Sequence, residues 1–137
     1  MRYPLPVRLL LFACFTFFNQ NLSAQQTIAR EWNEAVLQTV REDLARPHVQ
    51  ARNLFYSSVA MYDAWAAYDK EADTYLLGKT VGGVNCPFKG IPVPKDIQAA
   101  REEAMSFAMY KLMTAKYSHS PTGVGALNRF REIMKKH

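Results

Sequence analysis

Between Leu54 and Tyr68 the chain carries one charged residue, Asp63. Around it Ala51, Leu54, Phe55, Ser58, Val59, Tyr62, Trp65 and Ala66 recur at helical steps and form one wide, mainly apolar stripe. Ser57, Ala60, Ala64 and Ala67 form a second stripe of small side chains, which let a neighbouring backbone come close. A helix that is apolar on nearly every side needs protein on nearly every side. Pro47 suits the first turn of such a helix, where its missing N–H costs nothing. The sequence therefore places a helix over 47–68 at the centre of a domain. Whatever else the chain forms has to cover it.

Three further stretches have helical spacing. Over 29–44, Trp32, Val36, Leu37, Val40 and Leu44 share one face, while Arg30, Glu31, Glu34, Gln38 and Arg41 fall mostly on the other. This helix should stop before Pro47, because proline biases Arg46 away from helical angles. Residues 96–117 carry Asp96, Glu102 and Glu103 early and Lys111 and Lys116 late, the order that a helix dipole favours. Ile97, Ala100, Ala104, Phe107 and Ala108 mark one face of it; Met105, Met109, Leu112 and Met113 mark an adjoining one and read as core filler. Ser120 before Pro121 reads as the cap of a fourth helix, with Leu127, Phe130 and Met134 on its apolar face and Gly123 and Gly125 weakening its first turns. The chain reaches His137 without a terminating glycine or proline, which reads either as fraying or as a cut helix.

Residues 69–95, rich in glycine and proline, read as loop. The segment exceeds the ~12–15 residues of an ordinary structureless connection. It is expected either to hold a short strand near Thr74 to Leu77 or to pack on protein outside this sequence. Thr80-Val81-Gly82-Gly83 lacks the Gly-Lys-Ser/Thr ending of a phosphate-cradling loop. The fold class that follows is all-α: an incomplete bundle of about four helices with one long loop, the N-terminal part of a larger helical domain.

The N-terminal residues have a different character. Arg2 and Arg8 precede an apolar run from Leu9 to Phe18, and Leu22-Ser23-Ala24 closes the segment. This is the three-part layout of a secretory signal over 1–24, with cleavage expected after Ala24. The run is about half the ~20 residues of a membrane span, so no stable span is expected in the processed protein, residues 25–137. The location that follows is periplasmic or secreted. Cys14 lies inside the run and leaves with it. Cys86 then has no internal disulfide partner, and nothing beside it suggests activation.

The chain has 17 basic and 12 acidic residues. Arg2 and Arg8 belong to the leader, and Arg129, Arg131, Lys135 and Lys136 cluster at the other end. That is a terminal run rather than a basic stripe along a contact face, so nucleic-acid binding is not expected. His48, His119 and His137 show no ligand spacing, and neither His-Glu-x-x-His nor Cys-x-x-Cys occurs, so no metal site is expected. Asp63, Asp69 and Asp73 lack the glycine and closing glutamate of a calcium loop. Asp63 itself reads as a buried acid paired with a basic or hydroxyl group from another helix. Arg52 is on the same face but about three turns away, too far for direct pairing. Ser57 and Ser58 are mid-helix residues without a base or an oxyanion hole.

Two runs go beyond generic helix: Ala29-Arg30-Glu31-Trp32-Asn33-Glu34-Ala35-Val36-Leu37, and Ala51-Arg52-Asn53-Leu54-Phe55-Tyr56 continuing to Ala60-Met61-Tyr62-Asp63-Ala64-Trp65-Ala66-Ala67-Tyr68-Asp69. They resemble the N-terminal helical region of exported bacterial vanadium-dependent haloperoxidase-like proteins, within the type 2 phosphatidic acid phosphatase superfamily. The resemblance is close over 28–70 and looser over 96–137. It implies a longer, mainly helical protein whose C-terminal half binds vanadate or phosphate through a lysine, arginines, a Ser-Gly-His segment and a further histidine. None of those motifs occurs here, so it implies no catalytic, cofactor-binding or metal residue in this chain and no cofactor held by it. Arg52, Asn53 and Asp63 match the N-terminal pattern, for which the resemblance implies packing or support. The expected function is that of an N-terminal segment without its own active site, its 47–68 helix covered by a C-terminal domain. The rival expectation is a small exported helical binding or scaffold protein that covers the same helix by oligomerising or by packing on a partner.

Overall fold

The computed structural model describes residues 27–137; the leader, its cleavage site and Cys14 lie outside the described residues. The fold is mainly helical: α1 (Ile28–Glu42), α2 (Pro47–Ala66), α3 (Ile97–Tyr117) and α4 (Gly123–Lys136), with one small antiparallel hairpin, β1 (Thr80–Val81) and β2 (Val84–Asn85), between α2 and α3.

Thr27 starts α1 by accepting the Arg30 N–H at 3.3 Å, a capping bond that occupies an otherwise unpaired donor. The helix ends two residues earlier than its apolar spacing suggests. Asp43 already has extended angles, and Leu44, expected on the apolar face, is 89% exposed. The chain leaves the helix because Asp43 is used elsewhere. Its carboxylate accepts from Gln50, Ser120 and Thr122, at 2.9, 2.9 and 3.4 Å. That ties the α1–α2 turn to the α3–α4 turn. Arg46, before Pro47, is extended as expected.

Trp32, Val36, Met109, Met113, Tyr117, Ala126 and Phe130 fill the space between α1, α3 and α4 and are essentially inaccessible. The Trp32 and Tyr117 rings lie 5.9 and 6.2 Å from that of Phe130, within the range in which aromatic pairs attract. The Trp32 indole N–H donates to the buried Ser106 hydroxyl at 3.2 Å, so its one polar atom is satisfied. The face of α3 that packs here is the ridge Met105, Met109, Met113 and Tyr117. The other face picked out by spacing is not core: Ile97 and Phe107 are exposed.

Ser120 does not cap α4. It forms the turn before the helix, its hydroxyl donating to Asp43 and its carbonyl accepting from Gly123. Gly123 is required by proximity, because a Cβ there would lie 2.1 Å from the Tyr117 carbonyl oxygen. Two of the four residues of the terminal basic run, Arg129 and Lys136, engage α1. Arg129 grips Glu42 through two bonds of 2.8 and 2.9 Å and also donates to Thr39. Lys136 and His137 both reach Glu31.

Candidate functional site

Helix α2 packs antiparallel to α3, and it does so inside out. The residues it buries are Gln50, Asn53, Ser57, Met61, Asp63 and Ala66. Three of its aromatic side chains point the other way, Phe55, Tyr56 and Tyr62, while Leu54 and Trp65 pack beside Met61 against the core. Helical spacing identified this stripe but carried no information about its direction. The expectation that α2 is surrounded is met on one side only within the described residues. The helix also ends at Ala66, not Tyr68, in a short turn where Asp69 closes on the backbone N–H groups of Glu71 and Ala72.

The buried carboxylate of Asp63 has a partner that sequence spacing did not indicate. No basic or hydroxyl side chain bonds it. It accepts three successive backbone N–H groups from the loop, Tyr75 at 2.5 Å, Leu76 at 2.8 Å and Leu77 at 3.2 Å. Three amide donors suffice for a buried carboxylate, because each is a charge-assisted bond. This clamp replaces the strand expected near Thr74 to Leu77. The strands form instead at 80–85, where Gly82 and Gly83, at φ 58° and 81°, make the tight hairpin turn. A second tie fixes the start of the loop: Arg101 donates to Asp69 at 2.8 Å and stacks 4.9 Å over the Trp65 ring. The Glu71 and Ala72 amides, and then Arg101, hold the Asp69 carboxyl below its ordinary range.

Folding the loop back on α2 creates an open groove of about 520 Å³. Phe55, Tyr56, Tyr75 and Val81 wall it; Ala60, Ala64 and Ala108 line its floor. Asp63 borders the groove, but both its oxygens are taken by the loop. Cys86 lines it too, half-buried. The rest of the lining is apolar and aromatic, which suits the groove to apolar binding.

A second cleft, about 430 Å³, lies where the two turns meet and is lined by Asp43, Asn53, Lys116, Tyr117 and His119 among others. Its polar groups are largely occupied with one another. Gln50 donates to Asp43, and the Tyr117 hydroxyl meets Gln50 at 3.4 Å. Burial pushes the Tyr117 phenol above its ordinary range; hydrogen bonding with Asn53 opposes this and the Asp43 charge adds to it. This network holds two turns together.

Of the residues the sequence singled out, Asn53 and Asp63 are buried, whereas Arg52 is exposed. The histidines are not brought together: His48 is exposed, His119 bonds Ser118, and His137 bonds Glu31. No group of three metal-ligating side chains occurs among the described residues. An oxyanion such as vanadate needs several fixed cationic donors around a histidine. Arg101, Arg129 and Lys136 are each committed to a carboxylate, so these residues do not fit that group. No described helix is long and apolar enough to cross a membrane. Comparison with known protein families, curated proteins and solved structures finds no match.

Proposed function

We propose that this chain is the N-terminal helical segment of an exported protein of the vanadium-dependent haloperoxidase and acid phosphatase type, a scaffold against which a catalytic half packs. One observation carries the reading: α2 buries Gln50, Asn53 and Ser57 and presents Phe55, Tyr56 and Tyr62 outward beside an apolar groove. A continuous apolar patch of this kind marks an interaction surface. The oxyanion chemistry belongs, in this reading, to sequence beyond these residues, since the three histidines here are not brought together. The test is the reading frame downstream of the His137 codon. It is expected to continue with helical spacing and to reach a Ser-Gly-His segment with flanking arginines and a lysine. Unrelated sequence there would remove the family reading.

A second reading, a small exported scaffold that oligomerises through the same face, is favoured by the closed α1–α3–α4 core. Sedimentation of residues 25–137 separates the two. A defined dimer with full helicity supports the scaffold, and a monomer that binds an apolar dye supports the segment.

A further inference from the structure

We infer that residues 73–86 form a hinged lid over α2, latched by Asp63 and able to swing clear while the three-helix core stays folded. The lid is a property of the described residues and does not depend on the family reading.

The hydrogen bonds of this segment are of two kinds. Most are internal. Lys79 Nζ donates to Asp73 at 2.8 Å and also to the Thr74 carbonyl. The Thr74 hydroxyl donates to the Leu77 carbonyl at 2.6 Å. The Gly78 N–H donates to the Cys86 carbonyl at 2.7 Å, and the Cys86 N–H to that of Lys79 at 3.0 Å, beside the small hairpin. The bonds to the rest of the described protein end on one turn of α2. Tyr75, Leu76 and Leu77 donate to Asp63, and the Tyr62 hydroxyl donates to the Asp73 carbonyl at 2.8 Å. The segment is braced within itself and held at one point.

Both flanks suit a hinge. On the near side Asp69 accepts the Glu71 and Ala72 amides and is itself gripped by Arg101, so the chain is anchored up to Ala72 and pivots after it. On the far side residues 87–95 make no backbone–backbone hydrogen bond among the described residues, and most of them are exposed. Nothing in 69–95 belongs to the buried core cluster or packs against it. A segment with so few buried apolar contacts opens at lower free energy than the core does. Closed, the lid sets Tyr75, Leu76 and Leu77 along the groove, with the Tyr75 ring edge-on to Phe55 at 6.0 Å. Open, it uncovers the α2 surface from Phe55 to Ala64. The lid therefore sets how much of that apolar face is presented.

The test is amide hydrogen exchange of the leader-free protein, read residue by residue by NMR at low urea concentrations. A single hinged opening gives Tyr75, Leu76 and Leu77 one common protection factor, at least about tenfold below that of the best-protected α1 and α4 amides. It is almost independent of urea, because opening the lid exposes little surface. Tyr62→Phe removes the bond to Asp73 without touching any of the three amides. It should nonetheless lower all three protection factors together, by about threefold. The Tyr62 ring is already 43% exposed, so the variant should keep its helicity, which circular dichroism checks. Cys86 lines the groove under the lid. A bulky maleimide attached there should wedge the lid open, abolishing protection at the three amides and leaving α1 and α4 unchanged. Three amides that exchange independently of one another overturn the inference. So does exchange that follows the urea dependence of the α4 amides, which would make lid and core one unit. Protection unmoved by both Tyr62→Phe and the Cys86 adduct would overturn it as well.

Discussion

The α1–α3–α4 core and the α2 flank are built from similar residues and use them in opposite ways. In the core, Trp32, Tyr117 and Phe130 turn inward and interlock with a methionine ridge, and the polar residues lie outside in ion pairs. In the flank, glutamine, asparagine, serine and aspartate turn inward beside Met61, and Phe55, Tyr56 and Tyr62 turn outward, with Trp65 alone of the aromatics packed on the core. The core is closed by Met61 of α2, with Leu54 and Trp65 packed against it. The flank is held by directional bonds, namely the Asp63 clamp and the Asp69–Arg101 pair, and leaves its apolar surface for something else. Apolar content alone does not say what a helix is for. The direction in which it faces does.

The sharpest way to break this contrast is Trp32→Ala. It removes the largest fully buried side chain and leaves Ser106 without its donor, and should cost about 3–5 kcal/mol. Urea unfolding followed by far-UV circular dichroism should show much or all of the cooperative transition lost. Next comes Asp63→Ala, which strands three loop amides and should cost about 1–3 kcal/mol. Hydrogen exchange should rise at Tyr75, Leu76 and Leu77 while amides of α1 and α4 stay protected. Loss of protection in α4 as well would show that the two regions are one cooperative unit.

A smaller effect belongs to acid. The bond from Lys136, with His137 assisting, holds the Glu31 carboxyl below its ordinary value against the effect of partial burial. A depressed folded value means that Glu31 stabilises the fold above the ordinary glutamate pKa of about 4.3 and that this contribution is lost as pH falls through the folded value. Glu31→Gln should flatten the stability profile on the acid side, measured by thermal melts across that range. The smallest effect sharpens the comparison most. Phe55→Ser and Tyr62→Ser should each cost only about 1 kcal/mol, because about half of each side chain is already in water, although Tyr62 also gives up its bond to the Asp73 carbonyl. Apolar dye binding should fall in both. A large destabilisation instead would mean that the flank is as closed as the core.

Much of this was legible before the structure. Periodicity located four helices and the loop because Pro47, Asp96 and the glycine-rich stretch punctuate the chain unambiguously. It failed where a residue answers to a distant partner. Leu44 has helical spacing but is lost from α1 because Asp43 bonds across to Ser120 and Thr122. Phe107 sits on an apolar face of α3, yet the methionine ridge fits better against Trp32 and Phe130. The partners of Asp63 are backbone N–H groups, which every residue but proline carries, so no side-chain pattern could announce them. The outward direction of α2 was hidden for a related reason: a helix apolar on several faces offers spacing no preferred side. The groove itself depends on where the loop folds back, and that is set by the Asp63 clamp.

That clamp also divides the loop for an engineer. Everything up to Leu77 is fastened to α2, while beyond it the hairpin tip, Gly82 and Gly83, has no neighbouring atoms where side chains would stand. New sequence spliced between those two glycines enters open space with its ends already held together by β1 and β2. A reporter placed there would sit at the mouth of the groove while leaving every core residue in place.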